Sequence, residues 1–346
     1  MEVKKLLLSI VLLSCMIVAK GQMVRLDSVV AETPPPFGKG IRKLVYSYDD
    51  CGRLLSCHAY KGKEKLVPVS RCECSYDEHG WMKEIEKAYF DDKGLITKRY
   101  MRNIARDANH EITTVSDYEQ TGGDKVLCST MRYSVSPDGR KKEVHTEEYL
   151  DGKHLFDSRL VYELDNGNVV RAKFSNCNDS IGEWHSVSKS EHKYDNKGRK
   201  IWYALYYPNN ENASNDADWH LHESVATVYD DSINCWIQKV RHPLQNGCEY
   251  GTDNVFHADK DGNRLCKQTY SSSSPNGLLS QTCYFYDKSM AASQVAGIDM
   301  SEIEYSYVQF PAEELKASAI VLTRKIAFSA KGELQESICY YFSECK

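Results

Sequence analysis

Ser70, Cys72, Cys74 and Tyr76 alternate with Arg71, Glu73 and Ser75, a period of two that predicts a strand with two distinct faces. Asp77-Glu-His-Gly80 breaks the alternation, and Trp81 to Tyr89 predicts the next strand. Phe90-Asp-Asp-Lys-Gly94 breaks it again before Leu95 to Ile104. From Lys43 onward the chain continues in this way, as short strands separated by tight turns. The pattern predicts an all-β fold, an antiparallel meander of about nine hairpins. The best helical candidate is Pro311-Ala-Glu-Glu-Leu-Lys-Ala-Ser318, with Pro in a tolerated first turn. Pro208 to Asp218 is polar and strand-poor and predicts a long surface loop.

The turns share a pattern: an aromatic, an Asp, two free positions and a Gly. It is complete at Tyr48-Asp49-x-x-Gly52, Tyr76-Asp77-x-x-Gly80, Phe90-Asp91-x-x-Gly94 and Tyr194-Asp195-x-x-Gly198. A tight hairpin needs a residue at positive φ, which Gly adopts without a Cβ clash. The Asp carboxylate accepts hydrogen bonds from turn N–H groups that lack a ladder partner. The aromatic packs at the strand end within reach of its cross-strand neighbours. These residues therefore predict structure and not catalysis. Degenerate copies occur at Ser136-Pro-Asp-Gly139, Leu164-Asp-Asn-Gly167, Asp259-Lys-Asp-Gly262 and Phe328-Ser-Ala-Lys-Gly332. Tyr229-Asp230 and Tyr286-Asp287 keep the dipeptide without the Gly. Most copies recur at roughly thirty residues, one hairpin with its return strand.

On these motifs, Tyr194-Asp-Asn-Lys-Gly-Arg-Lys-Ile201 above all, the chain resembles the YD repeats of the RHS-repeat proteins of bacterial surfaces and toxin systems. The better comparison is with short YD-type repeat proteins exported by Bacteroidota. The resemblance implies a curved or partly closed β-sheet and a protein of the envelope or cell exterior. The large RHS shells enclose a C-terminal toxin released by self-cleavage. No cleavage motif and no separate C-terminal domain stand out here, so a remnant of such a shell is a minor alternative.

The N-terminus sets the destination. Lys4 and Lys5 precede an apolar run from Leu6 to Ala19, and Ala19-Lys-Gly21 offers small residues before Gln22. This predicts a signal peptide over 1–21. Leu12-Leu-Ser-Cys15 competes as a lipobox with Cys15 as the lipidated residue. Residues 22–42, with three consecutive prolines at Pro34, Pro35 and Pro36, predict a linker, and 43–346 the repeat domain. No later stretch approaches the ~20 apolar residues of a membrane helix. Removing Glu2, Lys4, Lys5 and Lys20 takes the formal charge from -5 to about -7. That balance, without a basic block, argues against nucleic acid as a partner. A protein or glycan is the expected partner class.

Loss of Cys15 would leave twelve of the 13 cysteines, an even number that fits disulfides in an exported chain. Their pairing is open. Cys72 and Cys74 share a strand face, from which each could meet a neighbouring strand.

Candidate chemistry is sparse. Trp219-His-Leu-His-Glu223 places His220 and His222 on one face of a strand, where two imidazoles could hold a zinc-like ion. A metal-dependent hydrolase would need a third ligand, for which His185, His192, Glu223 and His257 are candidates. Asp259 to Asn263 begins like a calcium loop but coincides with a repeat turn, which is the stronger reading. No G-x-S-x-G elbow, P-loop or C-x-x-C occurs, so no cofactor and no enzyme activity are expected. Ser28, Ser180 and Ser232 follow an Asp and precede an apolar residue, as in Bacteroidota O-glycosylation acceptors. Trp81, Trp202, Tyr203, Tyr206, Tyr207 and Trp236 could face sugar rings or a protein partner, though most should be packed, and Trp202 and Tyr203 should face opposite ways.

Overall fold

In the computed structural model, residues 24–34, 40–178, 182–209, 219–244, 249–274, 277–296, 308–318 and 320–344 are described. Twenty strands lie among them. The first seven are β1 (Val24–Thr33), β2 (Gly40–Tyr48), β3 (Leu54–Gly62), β4 (Leu66–Tyr76), β5 (Met82–Phe90), β6 (Ile96–Arg106) and β7 (Ile112–Gln120). Next come β8 (Lys125–Val135), β9 (Lys141–Leu150), β10 (Lys153–Asp165), β11 (Asn168–Asn178), β12 (Glu183–Tyr194), β13 (Lys200–Pro208) and β14 (Trp219–Asp230). The last are β15 (Cys235–Pro243), β16 (Glu249–Ala258), β17 (Arg264–Ser271), β18 (Leu278–Ala291), β19 (Ile320–Ser329) and β20 (Leu334–Glu344).

Each strand pairs antiparallel with the next in sequence. β1 also pairs antiparallel with β20, with Val30 opposite Cys339 and Ala31 opposite Ile338. The sheet is thus a closed up-and-down barrel, beyond the curved or partly closed sheet of the sequence reading. Closure removes the free edges at which another chain could add a strand. The strand that performs it was expected to be linker. Of residues 22–42, Val24–Thr33 form β1 and β2 begins at Gly40, while 35–39 lie outside the described residues. Leu26 and Val29 of β1 are buried, so this segment completes both the ladder and the core. Residues 1–21, with Cys15, lie outside the described residues, as do 210–218 of the expected surface loop.

Alternation gives the wall two chemistries. Tyr46, Cys57, Cys72, Lys87, Tyr100 and Glu119 stand side by side across β2 to β7. The adjacent row is Ser47, Ser56, Glu73, Glu86, Met101 and Tyr118, pointing the other way. The first row faces the lumen, since Tyr46 packs edge-on against Phe310 of the segment that enters it, with ring centroids 5.5 Å apart. The outer wall carries ion pairs strand after strand: Arg99–Glu86 at 2.8 Å, Arg132–Glu147, Arg171–Glu163 at 3.2 Å and Arg241–Asp253 at 2.7 Å. A membrane-spanning barrel presents an apolar band there instead. No helix among the described residues is long and apolar enough to cross a membrane.

The repeat turns form as their residues dictate. Asp49 Oδ1 accepts from the N–H groups of Cys51 at 2.9 Å and Arg53 at 2.8 Å, and Gly52 sits at φ +79°. Asp77, Asp91, Asp195 and Asp259 repeat this geometry, with Gly80, Gly94, Gly198 and Gly262 at positive φ. The calcium-like loop is therefore a hairpin, its Asp259 carboxylate occupied by the backbone of Asp261 and Asn263. Asp107 makes one more such turn, to Asn109 at 2.8 Å and Glu111 at 3.0 Å, with His110 at φ +66° in the glycine position. This turn has neither the aromatic nor the Gly of the motif, so the sequence pattern does not mark it. In Ser329-Ala-Lys-Gly332 the Ser hydroxyl replaces the carboxylate and accepts from Lys331 and Glu333 at 3.2 Å.

A further contact explains why the aromatic is so often Tyr. Tyr48 donates its hydroxyl to the Leu26 carbonyl at 2.9 Å, and Tyr76 to Leu54 at 2.6 Å. Tyr194 reaches Val169 at 2.9 Å, Tyr286 reaches Arg264 at 2.7 Å and Tyr229 reaches Lys200 at 3.4 Å. Each tyrosine lies late in an even-numbered strand, four of them at or next to its end and Tyr286 where β18 runs on to Ala291, and bonds to the start of the odd-numbered strand beside it. These two strands connect only at the far rim, so the bond ties successive turns together at the near one. The turns behind Phe90 and Phe328 lie at the opposite rim, where the aromatic has no hydroxyl.

Two outcomes are expected. Tyr76→Phe should lower stability to urea by about 1–2 kcal/mol, because the carbonyl of buried Leu54 loses its partner. Tyr341→Phe, on an exposed ring, should change it by less than about 0.5 kcal/mol. The second outcome concerns pH. The Trp81 and His79 N–H groups hold the Asp77 carboxyl below the usual range, and the Asn263 amide does the same for Asp259. A depressed folded value means that this stabilisation is present above the unfolded carboxyl pKa of about 4 and is lost as pH falls through the folded value. The urea midpoint should drop on acidification from about pH 5 toward pH 3, and Asp77→Asn should flatten that fall.

Candidate functional site

The ninth turn at the tyrosine-latched rim does not close. Tyr286 and Asp287 begin it, and Asp287 Oδ1 accepts from Ser289 N–H at 2.8 Å, yet β18 continues to Ala291. A short 3-10 turn at Ala292–Gln294 follows, and Val295 bridges to Val24 of β1. The chain returns to β19 through α1 (Ala312–Lys316), the helix expected at Pro311–Ser318. Val308, Phe310, Ala312 and Leu315 are buried against Tyr46, Val321, Leu322 and Tyr340, so this segment plugs part of the lumen. A helix with apolar Ala312 and Leu315 on one side and Glu313 and Lys316 on the other suits that position.

Glu314 fastens α1 to the wall. Its carboxylate accepts from Lys325 Nζ of β19 and from the Tyr340 hydroxyl of β20. Burial, reinforced by the Glu314 charge, pushes the Tyr340 phenol far above its usual pKa, so it stays a donor at any ordinary pH. The Tyr46 hydroxyl donates to the Gln309 carbonyl at 3.0 Å, a second tie between wall and plug. Beside these contacts lies a cavity of about 500 Å³. Val29, Ala31, Leu44, Ala59, Val69 and Ile338 form its apolar wall, and Pro311 and Glu314 form its plug side. Arg42, Lys61 and Lys325 supply cations around it, with Arg42 also paired to Glu336 at 2.8 Å.

A second group on the inner wall is committed to itself. Arg102 makes two 2.7 Å bonds to Asp117, and Lys98 pairs with Glu119 at 2.6 Å. Burial, then the Asp117 charge, raises the Glu148 carboxyl.

The expected metal pair lies at a β-bulge on β14, with both rings beside Tyr207, at 6.3 Å for His220 and 4.7 Å for His222. Leu205 faces Glu223 while Tyr206 faces Leu221, so His222 is the extra residue of a β-bulge. His222 packs on the Tyr207 ring at 4.7 Å, and His220 bonds Asn209 through Nδ1 at 3.1 Å. Of the expected third ligands, His192 stands against Tyr203, His185 faces Asn176, His257 lies opposite Cys235, and Glu223 is 3.6 Å from His242. Among the described residues no three His, Cys, Asp or Glu side chains are grouped to hold a metal ion.

Most of the candidate binding aromatics are half-buried, and Trp81 is exposed. Arg106 lies over Trp81, Lys193 over Trp202 and Lys189 over Tyr206, while Trp236 stacks on Phe256 at 5.0 Å. Trp202 and Tyr203 face opposite ways, as alternation requires. Ser28 is half-buried on β1, Ser232 is exposed but donates to Asp230 at 2.6 Å, and Ser180 lies outside the described residues. The lumenal cavity was not legible in the sequence, because its walls come from both ends of the chain. The one available signal was the helical segment interrupting the array.

No family model matches the chain, and no curated protein matches it. Among solved structures, a protein of unknown function from Bacteroides fragilis overlaps at 16% identity and TM-score 0.32, covering 37% of this chain and 92% of its own. A porin-like protein from Bacteroides vulgatus overlaps at 12% identity and TM-score 0.34, covering 75% of this chain and 96% of its own. A TcdB2–TccC3 structure overlaps at 8% identity and TM-score 0.21, covering 88% of this chain and 18% of its own. With every TM-score below 0.5, these neighbours establish neither family nor function for this chain.

Glu314→Ala should release the plug without opening the barrel. Amide hydrogen exchange across 310–317 should accelerate at least about tenfold, with the strands unchanged, through loss of two charge-assisted bonds. Unchanged exchange there would show that apolar packing alone holds α1.

Proposed function

We propose that the chain is an exported, non-catalytic β-barrel whose task is binding, at the bacterial envelope or outside the cell. The observation that carries this reading is the cavity between the inner wall and the plug. Its size is that of a small-molecule site, and its lining is apolar with a few charged groups around it. The sequence-level export signal and the water-facing outer wall support the placement.

The lining also indicates the ligand class. Val29, Leu44, Ala59, Val69 and Ile338 suit an apolar body, while Arg42, Lys61 and Lys325 suit an anionic head. A small amphipathic anion fits both. Glu314 then acts within the site as well as on the plug, since it shares Lys325 with any bound anion.

Anilinonaphthalene sulfonate, apolar rings with one negative charge, is a direct probe. It should bind the native protein at one site with blue-shifted fluorescence. Ala59→Trp, which fills the cavity from the wall, should weaken binding at least about tenfold with the melting transition retained. Binding unaffected by Ala59→Trp, or none to the native protein, would overturn the reading.

A further inference from the structure

The sequence leaves the cysteine pairing open, but strand register narrows it. Ten cysteines lie among the described residues. Two pairs of them stand directly opposite each other on neighbouring strands: Cys57 with Cys72 on β3 and β4, and Cys266 with Cys283 on β17 and β18. Directly opposed residues in an antiparallel ladder have Cα atoms about 4.5 or 5.5 Å apart, and both values lie within disulfide range. Cys74 faces Ile85 and Cys339 faces Arg324, so neither has a cysteine opposite it.

The two pairs differ in access. Cys57 and Cys72 point into the core beside Lys87, and both are buried. Burial pushes the Cys72 thiol up to about 11 and the Cys57 thiol higher still, despite the nearby Lys87 charge. Exchange requires a thiolate and room for the oxidant, and this pair has neither once the barrel is closed. Cys266 and Cys283 stand on the outer wall and are only partly covered. The row they share includes Cys235 and His257, and Gln281 Nε2 reaches Cys283 Sγ at 3.7 Å.

We infer that Cys266 and Cys283 form a cross-strand disulfide on the outer wall, made in the folded barrel by a small disulfide or a thiol–disulfide oxidoreductase. One thiolate attacks a sulfur of the oxidant's disulfide, giving a mixed disulfide and expelling one oxidant thiol. The second protein thiolate attacks the protein sulfur of that intermediate and expels the other. The protein loses two electrons and two protons, and the oxidant is reduced to two thiols. The bridge ties β17 to β18, the strand that leads into the plug. The pairing is a property of the fold and does not depend on where the protein is delivered or what the cavity binds.

The test uses the folded, fully reduced protein treated with oxidised glutathione, then alkylated and digested without reduction. The expected product is a single cross-linked peptide pair containing Cys266 and Cys283, with an intact mass lower by two hydrogens. Cys57 and Cys72 should be alkylated only after denaturant is added. Cys266→Ser with Cys283→Ser should abolish the bridge, and reduction should then no longer lower the melting temperature as it does in the unsubstituted protein. Both thiols alkylated after oxidation, or either of them joined to another cysteine, would overturn the assignment.

Discussion

A tyrosine hydroxyl bonded to the backbone of the neighbouring turn is the contact on which the barrel's regular rim depends. Hairpins alone make only local pairs, since each Asp turn joins one strand to the next and does nothing to align successive turns. Tyr48, Tyr76, Tyr194, Tyr229 and Tyr286 supply that alignment. Each bonds a carbonyl just where the ladder runs out, at a position that water or nothing would otherwise occupy. The preference for Tyr, 23 against nine Phe, thus has a cause at this rim beyond ring packing.

Closure follows from the same economy. Twenty strands in series leave two edges, and β1 and β20 pair to remove both. A barrel of that size has a lumen too wide for inward side chains to fill. The chain fills part of it by abandoning one repeat. Where Tyr286 and Asp287 would begin a four-residue turn, the backbone runs inward and returns as α1. The site is therefore the place where the repeat fails, which is where a repeat protein has freedom to place something particular.

The plug's attachment is polar at its tip and apolar along its body. Leu315 and Phe310 bury their side chains, while Glu314 meets Lys325 and Tyr340. Burial alone favours many orientations of so short a helix; the carboxylate selects one, because leaving the buried Tyr340 hydroxyl unpaired inside the wall would be costly. The cavity owes its shape to that selection, having a rigid strand wall on one side and a pinned helix on the other.

The sequence by itself determined what is local. Alternation around Cys72 and Cys74 placed the strands, Asp and Gly placed the turns, and Pro311 to Ser318 placed the helix, each through contacts within a few residues. It misjudged β1, where three prolines drew attention away from the alternating Val24 and Leu26, and it missed the turn at Asp107, where His110 stands in for Gly. His220 and His222 were paired on alternation alone, and the bulge at His222 was not legible in the sequence. Closure, the direction of the plug and the cavity needed the tertiary structure. Closure and the cavity join residues about 300 positions apart, such as Val30 and Cys339 or Arg42 and Glu336, and the plug's tie to Tyr46 spans 263. Register over that span is the sum of every strand length and bulge between them, and no stretch of sequence carries that sum.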